Sequence, residues 1–326
     1  MKNKKVNILS LFDGMSNGQI AVNNLGANIG DYYASEVDQF AISVTKKNYP
    51  NTKFIGDVRN IDVSKLNKID LIIGGSPCQG FSFSGTRKGA RTKCDVKITT
   101  LKQYLKFKSQ GFEFEGESYL FWEYIRIYRE VKKINPDVKF LLENVNMEKE
   151  WRKIFNREVG QEPYNINSNI VSAQNRNRFY WTDIDVDLTE LKDLEIYWDS
   201  IQIDNADDVC YYTDTAKAWL QANPLRRKRY KLYTKKDKVK MQMVEANHYK
   251  GYSNQRCFAI LDANGKERYI HPIECERLQT VPDDYTAFGI NINGKVVKIT
   301  RSQRYKMLGN GWTVKVIEFL LSDFFK

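Results

Sequence analysis

One cysteine stands in a local sequence that is suited to presenting a reactive thiol. Cys78 belongs to the segment GGSPCQG at 74–80, which follows the apolar run from Ile69 to Ile73. Such a run predicts a short buried strand of a parallel sheet, and open α/β sheets place their chemistry just beyond the ends of these strands. Pro77 restricts the backbone before the cysteine, and the flanking glycines allow a sharp turn. The alternative is that Cys78 is a small buried apolar residue, the usual state of a free cysteine.

The cysteine and histidine content argues against a disulfide framework and against a zinc site. The 326-residue chain has five cysteines, an odd number without paired spacing, and only two histidines. This usage is typical of a reducing compartment, so we expect a cytoplasmic protein with no metal bound by protein ligands. No apolar run approaches the ~20 residues that a membrane helix needs, and the run Val6–Phe12 is too short for a signal peptide.

The net charge of +11 favours a polyanionic partner, and the positive charge is concentrated in one segment. Residues 225–240 carry nine basic side chains and one acidic side chain, with Tyr230 and Tyr233 among them. Residues 182–208 carry ten acidic side chains and one lysine. We expect the basic segment to bind a nucleic-acid backbone, and it is a candidate for base readout. The alternative is a solvated surface helix or a disordered run.

The first half of the chain alternates strand-like and helix-like segments, which is the pattern of a doubly wound, Rossmann-like α/β sheet. The predicted strands are 7–11, 32–37, 53–55, 70–74 and 138–142, and the predicted helices are 17–25, 39–48 and 119–134. A strand over 165–172 with a partner at 178–181 follows, and a helix through Ile273 and Leu278 and a closing helix over 314–325 complete the prediction.

Two regions lack this alternation. Residues 80–116, with several glycines, serines and lysines, predict a long mobile loop without an element of its own, and loops of that length in compact domains are usually functional. Residues 183–269 have weak periodicity and contain both charged blocks, which predicts a second, smaller domain. We therefore expect the chain to divide into 1–182, 183–270 and a C-terminal segment 271–326 that returns to the first domain.

Several short motifs occur in a specific order along the chain. They are FDGMSNG at 12–18, Glu36, GDV at 56–58, Pro77-Cys78, ENV at 143–145, QNRNR at 174–178, ERLQ at 276–279 and GNG at 309–311. This series resembles the cytosine-C5 DNA methyltransferases over nearly the whole chain outside 183–269, where that family carries its variable target-recognition domain. The variants LFDG, GDVR and GW at 311–312 are most similar to the de novo type and to phage or bacterial relatives. The segment 92–115 is longer than the connection that the members of this family usually have at this place.

The resemblance implies a catalytic group of four residues. Cytosine C5 is a poor nucleophile, so a thiolate adds at C6 first, and Cys78 is expected to be that nucleophile. The arginine-rich surroundings and a bound sulfonium are expected to favour the thiolate. Glu143 would protonate ring N3, and Arg178 would stabilise charge at O2, with Arg176 as a further candidate that is structural or contacts phosphate. The alternatives are an ordinary acid at a strand end and surface arginines.

The resemblance also implies S-adenosyl-L-methionine as cofactor, bound at the carboxyl ends of the first strands. Glu36 fits the ribose hydroxyls, Asp57 fits the adenine amino group, and Gly14 and Gly18 would let the backbone approach the methionine part. Each acidic residue has an alternative as a helix cap or turn residue. The full set of expected cofactor residues is Phe12, Asp13, Gly14, Gly18, Glu36, Val37, Asp57, Val58, Pro77, Asn310, Gly311 and Trp312.

Double-stranded DNA is the expected partner, and the protein is expected to be a monomer associated with the nucleoid of a bacterial or phage-infected cell. The target cytosine must leave the stacked duplex, and the loop after Cys78 would close over it. The expected DNA contacts are Ser82, Arg87, Lys88, Arg226, Arg227, Lys228 and Arg229, with Arg91 and Lys93 as further phosphate contacts. Two alternatives stay open, a transfer-RNA cytosine-5 methyltransferase and a non-catalytic DNA-binding relative.

Overall fold

The protein is built on a mixed seven-stranded sheet. The computed structural model describes residues 4–82, 88–203, 208–254 and 256–326. The strands up to residue 182 are β1 Val6–Leu11, β2 Ile29–Ser35, β3 Lys53–Phe54, β4 Leu71–Gly75, β5 Lys139–Val145, β6 Tyr164–Asn167, β7 Gln174–Asn175 and β8 Asn177–Thr182. Their order in the sheet is β3-β2-β1-β4-β5-β8-β6. The first five strands are parallel, and β8 is antiparallel to both its neighbours. This confirms the predicted doubly wound α/β class.

Helices cover both faces of the sheet because its central strands are apolar on both sides. The first five helices are α1 Asn17–Asn24, α2 Gln39–Asn48, α3 Leu101–Ser109, α4 Phe121–Ile134 and α5 Lys149–Val159. Successive strand residues point to opposite faces, so Ile8 and Leu9 belong to different cores. The core with Ile8 is shared with α1 and α2, and the core with Leu9 is shared with α4 and α5.

The second half of the chain adds smaller sheets and returns to the first. Its elements are α6 Asp214–Gln221, α7 Pro224–Arg229, β9 Lys231–Tyr233, β10 Met241–Gln242, β11 Phe258–Leu261, β12 Glu267–Arg268, α8 Pro272–Leu278, β13 Phe288–Ile290, β14 Val296–Lys298, α9 Arg301–Asn310 and α10 Val314–Phe325. Strands β12, β11 and β9 form one sheet, and β10 pairs in parallel with β7. Helix α10 packs against α1. The division at 182/183 and 270/271 stays a prediction.

The prediction for residues 80–116 is wrong in one respect, because this segment contains α3. Leu101 and Tyr104 are buried on one side of the helix, and the Thr100 hydroxyl accepts the Gln103 N–H at 3.2 Å as its N-cap. The lysines of α3 gave the segment the composition of a loop. Two smaller differences are that the strand predicted at 165–172 ends at Asn167, and that α4 begins at Phe121 after a 3₁₀ turn.

Candidate active site

Cys78 lies just beyond the carboxyl end of β4, in a turn that is held from several sides. Its carbonyl oxygen accepts the N–H groups of Phe81 and Ser82, both at 2.9 Å. The Gly80 N–H donates to the Ser118 hydroxyl at 2.8 Å, and the Gly80 carbonyl accepts from the N–H of Gly89 at 2.8 Å. Cys78 itself is half-buried, whereas Cys257 and Cys275 are 1% and 0% exposed. The full burial expected of a purely structural cysteine is therefore found at other cysteines.

Asn144 ties the cysteine turn to the neighbouring strand. Its side-chain amide donates to the carbonyl and to the hydroxyl of Ser76, both at 3.1 Å, and Asn144 is only 1% exposed. The ENV motif thus contributes a structural residue directly after Glu143, and this residue fixes the backbone two positions before Cys78.

Glu143 is held between an arginine and a tryptophan that come from distant parts of the chain. The register of β4 and β5 puts Glu143 beside Gly75. One carboxylate oxygen of Glu143 pairs with Arg178 Nε at 3.0 Å, and the other accepts from Trp312 Nε1 at 3.2 Å. A Cβ on Gly75 would lie 2.8 Å from Glu143 Oε2 and 2.9 Å from Trp312 Nε1. A glycine is therefore required there for the carboxylate and the indole to meet.

Arg178 lies near Cys78 because β8 runs antiparallel to β5, so the start of β8 meets the end of β5. Besides Glu143, its guanidinium donates to the Asn177 carbonyl at 2.8 Å and lies 3.9 Å from the Met243 sulfur. Arg178 is 9% exposed, which leaves a small open face at the site.

The pKa of the Cys78 thiol lies above its ordinary value in the folded chain. Burial is the main cause, and the negative charge of Glu143 acts in the same direction. Arg178 and Arg176 lower this pKa, as expected from the sequence, but they do not outweigh burial. The protein alone therefore favours the thiol over the thiolate.

The geometry does not support the catalytic role expected for Arg176. Its guanidinium donates to the carbonyl oxygens of Val244 at 3.2 Å, Gly309 at 3.1 Å and Gly311 at 2.9 Å. It is 4% exposed, and burial followed by the charge of Arg178 lowers its pKa to about 9. Arg176 thus joins three segments of main chain, which is the structural role that the sequence left open for it.

Gln279 is a buried positioning residue to which the sequence assigned no role. Its amide nitrogen donates to the carbonyls of Leu308 at 2.6 Å and Gly311 at 3.0 Å. Its amide oxygen accepts from Gln174 at 2.8 Å and from the Thr313 hydroxyl at 2.9 Å. The presence of Gln279 in one of the ordered motifs was the only signal that could have found it.

A cleft beside this group is lined by both ends of the chain, as the resemblance implied. Its lining residues are Asp13, Gly14, Met15, Asn17, Asp38, Ala41, Lys306, Met307, Asn310, Gly311 and Trp312. The Asn17 amide donates to the Trp312 carbonyl at 2.6 Å, and Lys306 pairs with Asp38 at 2.8 Å. Five of the expected cofactor residues line the cleft, and the six others that line it are neighbours of the same motifs.

Glu36 is fixed at the loop after β1. Its carboxylate accepts the N–H groups of Gly14 at 2.8 Å, Val37 at 2.7 Å and Asp38 at 2.8 Å. Gly14 has φ +59°, and Phe12 and Ser16 have φ 57° and 63°. Three residues in the left-handed region within five positions give this loop a backbone that L-residues seldom adopt.

Two further acidic side chains, Asp13 and Asp57, have pKa values that are shifted in opposite directions. Asp13 is buried, and burial raises its pKa to about 6 although Ser10, Ser16 and Tyr32 donate hydrogen bonds that lower it. The Tyr32 hydroxyl lies 2.9 Å from its carboxylate. Asp57 is held by Arg59, whose Nε lies 3.0 Å from it and which lowers its pKa.

The remaining expected cofactor residues do not all face the cleft. A Cβ on Gly18 would lie 2.4 Å from Ile73 Cδ1, so the absence of a side chain there permits α1 to pack on β4. Val58 is 5% exposed and belongs to the apolar core, so only its main chain is available. Val37 is 66% exposed, and Pro77 is partly exposed beside Cys78.

Sequence comparison identifies the family. The profile of the family described as C-5 cytosine-specific DNA methylase matches residues 6–107 and 105–326. The chain belongs to this family. The orphan methyltransferase M.SPRI of Bacillus phage SPR is 36% identical over 104 residues, which are 31% of this chain and 23% of that enzyme. The type II methyltransferase M1.ScrFI of Lactococcus lactis subsp. cremoris is 25% identical over 97% of this chain and 77% of its own length.

Solved structures show the same fold. The Entamoeba histolytica methyltransferase EhMeth aligns over 99% of both chains with a TM-score of 0.67 and 15% identity. In the sequence comparison, by contrast, the chain matches less than two thirds of the length of the phage SPR enzyme. Phage and bacterial relatives are thus found, as the motif variants indicated.

The basic residues expected to contact DNA in this methylase family member fall into two groups. Arg226, Arg227, Lys228 and Arg229 are all on α7, and of these Arg226 donates to the Asn254 carbonyl at 3.1 Å. Lys238 and Lys240 lie over the Tyr197 ring at 5.0 and 4.6 Å, and Lys240 also lies 3.5 Å from Asp193 of the acidic block. Arg227, Lys228 and Arg229 are exposed on α7, and Lys231, Lys235, Lys236 and Lys238 of the same block are exposed as well.

The expected contacts near Cys78 are only partly described. Lys88 is exposed, Ser82 forms a bridge with Met147, and Arg87 lies outside the described residues. Arg91 pairs with Asp95 at 3.1 Å and Lys93 with Glu113 at 2.5 Å.

Within the described ranges no helix is long and apolar enough to cross a membrane, and no cluster of three metal-ligating side chains is found.

Proposed function

We propose that the protein is a DNA (cytosine-5-)-methyltransferase that methylates C5 of a flipped-out cytosine within a short DNA sequence. The observation that carries the proposal is the meeting of Cys78, Glu143 and Arg178 at one edge of the sheet, beside a cleft lined by both ends of the chain. A half-buried thiol with a carboxyl and a guanidinium is the set of groups that nucleophilic addition to a pyrimidine requires.

Each of the three side chains has one role in the proposed reaction. The Cys78 thiolate forms a bond to C6 of cytosine, which moves electron density to C5. Glu143 has to take up a proton before the reaction, which it then donates to N3, and Arg178 stabilises the negative charge that develops at O2. C5 then takes the methyl group, its proton leaves to a base, and the bond from sulfur to C6 breaks to restore the thiolate. Because burial raises the pKa of Cys78, we expect the binding of substrate and of the cationic cofactor to favour its deprotonation.

The residues of the cleft fit S-adenosyl-L-methionine, which supplies an electrophilic methyl group when it is bound. Glu36, on the loop beside the cleft, is an acceptor held by three N–H groups, which suits ribose hydroxyls, and the apolar wall of Met15, Met307 and Trp312 suits a nucleoside and a thioether chain. Asp13 and Glu36 supply negative charge for a sulfonium cation. We infer that Phe12 lies against the adenosine part, that Asp57 accepts the adenine amino group, and that Gly14 and Asn310 hold the methionine part.

DNA is the substrate that the family description and the basic surface favour. We infer that residues 183–270 form the target-recognition domain and that Arg227, Lys228 and Arg229 contact phosphates. The family description names DNA, and α7 carries four cations on one short helix, of which Arg227, Lys228 and Arg229 are exposed.

The test is transfer of labelled methyl groups from S-adenosyl-L-methionine to DNA and, in parallel, to transfer RNA. We expect label in DNA with the wild-type protein and none with Cys78→Ala, a substitution that keeps the fold because Cys78 is half-buried. Label in transfer RNA alone would contradict the proposed substrate. Equal activity of the Cys78→Ala variant would contradict the proposed chemistry.

A further inference from the structure

The segment 92–115 has no part in the chemistry described above, yet its helix α3 reaches a fully buried charge. Glu123 on α4 is 0% exposed. Its carboxylate accepts from the Tyr104 hydroxyl and from Lys108 Nζ, which both belong to α3, and from Arg126 Nε at 2.6 Å. A buried carboxylate needs such compensation, since an unpaired charge is strongly disfavoured in the protein interior.

The two cations bound to Glu123, Lys108 and Arg126, also donate to main-chain carbonyls of a single turn. Arg126 donates to the carbonyls of Val58 and Ile61, both at 3.2 Å, and Lys108 Nζ donates to the carbonyl of Arg59 at 3.2 Å. Three carbonyls of the turn after β3 are thus held by cations that share one carboxylate.

This turn carries a candidate cofactor contact. Asp57 begins it, and Arg59 binds the Asp57 carboxylate with its side chain and with its N–H at 2.9 Å. Without the cation from α3, the Arg59 carbonyl would lose its charged donor and Glu123 would lose one of its two positive neighbours. The position of Asp57 therefore depends on a helix that comes later in the chain, after β4.

We propose that α3 is a positioning element for the adenine end of the cofactor site and that Lys108 is its key residue, acting through Glu123 and the turn 57–61. The inference rests on the proposed function because it takes Asp57 as a cofactor contact. It assigns a role to the segment 92–115, and it predicts that cofactor affinity can be changed from a position that touches neither DNA nor the reacting atoms.

The test compares Lys108→Met with Lys102→Met, an exposed lysine on the same helix, and with Lys108→Arg, which keeps the positive charge. Binding of S-adenosylhomocysteine is measured by calorimetry, and amide hydrogen exchange of residues 57–61 by mass spectrometry. We expect Lys108→Met to raise Kd about fivefold or more, as loss of part of a charged hydrogen bond implies. We also expect it to speed exchange at 57–61, while kcat at saturating cofactor and KM for DNA stay unchanged. Lys102→Met should behave as wild type, and Lys108→Arg should recover most of the affinity.

Wild-type affinity and wild-type exchange in Lys108→Met would overturn the inference, and so would a fall in kcat or a matching loss of DNA affinity. A wild-type protein that binds S-adenosylhomocysteine but methylates no DNA would end the proposed function, and the inference would then be decided by binding and exchange alone. A wild-type protein that does not bind S-adenosylhomocysteine would overturn the inference whatever the exchange rates are.

Discussion

Replacing Glu143 by glutamine separates its structural role from its proposed chemical role. In the folded protein its carboxylate lies 3.0 Å from Arg178 Nε and 3.2 Å from Trp312 Nε1. Glutamine keeps an oxygen for one of these donors but removes the charge, and this leaves Arg178 beside the buried Arg176. Breaking a buried ion pair from one side costs about 3–5 kcal/mol. Because the amide side chain would keep one acceptor, we expect a loss of about 2–3 kcal/mol in the free energy of unfolding.

The expected effect of Glu143→Gln on catalysis is larger than its effect on stability. An amide cannot donate the proton that N3 requires, so the single-turnover rate of methyl transfer should fall by about 10²–10⁴-fold. The free energy of unfolding is measured by urea titration, and the rate is measured at a temperature at which both proteins are folded.

Glu276→Gln is the matched control for this experiment. Glu276 is 0% exposed and pairs with Arg304 at 3.0 Å, away from Cys78. It should lose at least as much stability as Glu143→Gln while the folded fraction keeps its rate. The reasoning is refuted if folded Glu143→Gln works within about fivefold of the wild-type rate, or if Glu276→Gln loses the same catalytic factor.

Three further predictions concern Arg176, Asp13 and the cations of α7. Arg176→Met removes the donor of three main-chain carbonyls, and we expect it to lower the free energy of unfolding by about 3–5 kcal/mol in urea titrations, whereas loss of activity in a protein of unchanged stability would contradict its structural role. Asp13 has a folded pKa of about 6 against an ordinary value of 3.8, so the unfolded chain releases its proton first, and this carboxyl should reduce stability as pH rises from 3.8 to about 6. Because carboxyls with lowered pKa values, such as Asp38 and Asp57, gain stability over this range, urea titrations at its two ends should show a change in stability that is more negative in wild type than in Asp13→Asn, and equal changes would contradict the assignment. The double change Arg227→Gln and Lys228→Gln should weaken DNA binding on all sequences and reduce the slope of log K against log salt by about 1–2, whereas an unchanged slope would remove α7 from the DNA interface.

The sequence predicted the parts of the fold that depend on local pattern. Strands β1 and β4 are rich in apolar residues, and α2 and α10 have the bounds that their periodicity indicated, 39–48 and 314–325. The C-terminal segment was expected to return to the first domain, and in the structure the Asn17 amide donates to the Trp312 carbonyl.

The contacts that the sequence did not predict join residues far apart in the chain. Trp312 was expected to bind cofactor, but its indole also donates to Glu143, 169 positions away, and no local pattern carries that information. The packing of Gly18 against Ile73 was also not predicted, because a glycine in a loop motif and a glycine at a helix–strand contact look the same in sequence. Helix α3 was missed because three lysines in 101–109 hide the buried pair Leu101 and Tyr104.

The central claim is that Cys78 bonds to C6 of a cytosine held outside its duplex. The most direct measurement is mass spectrometry of the protein after incubation with S-adenosyl-L-methionine and a DNA duplex library that contains 5-fluorocytosine, since fluorine at C5 prevents release of the adduct. We predict a covalent complex whose cross-linked peptide contains Cys78 and that is absent in Cys78→Ser. A wild-type protein that methylates ordinary DNA but forms no adduct, or an adduct at another cysteine, would contradict the account.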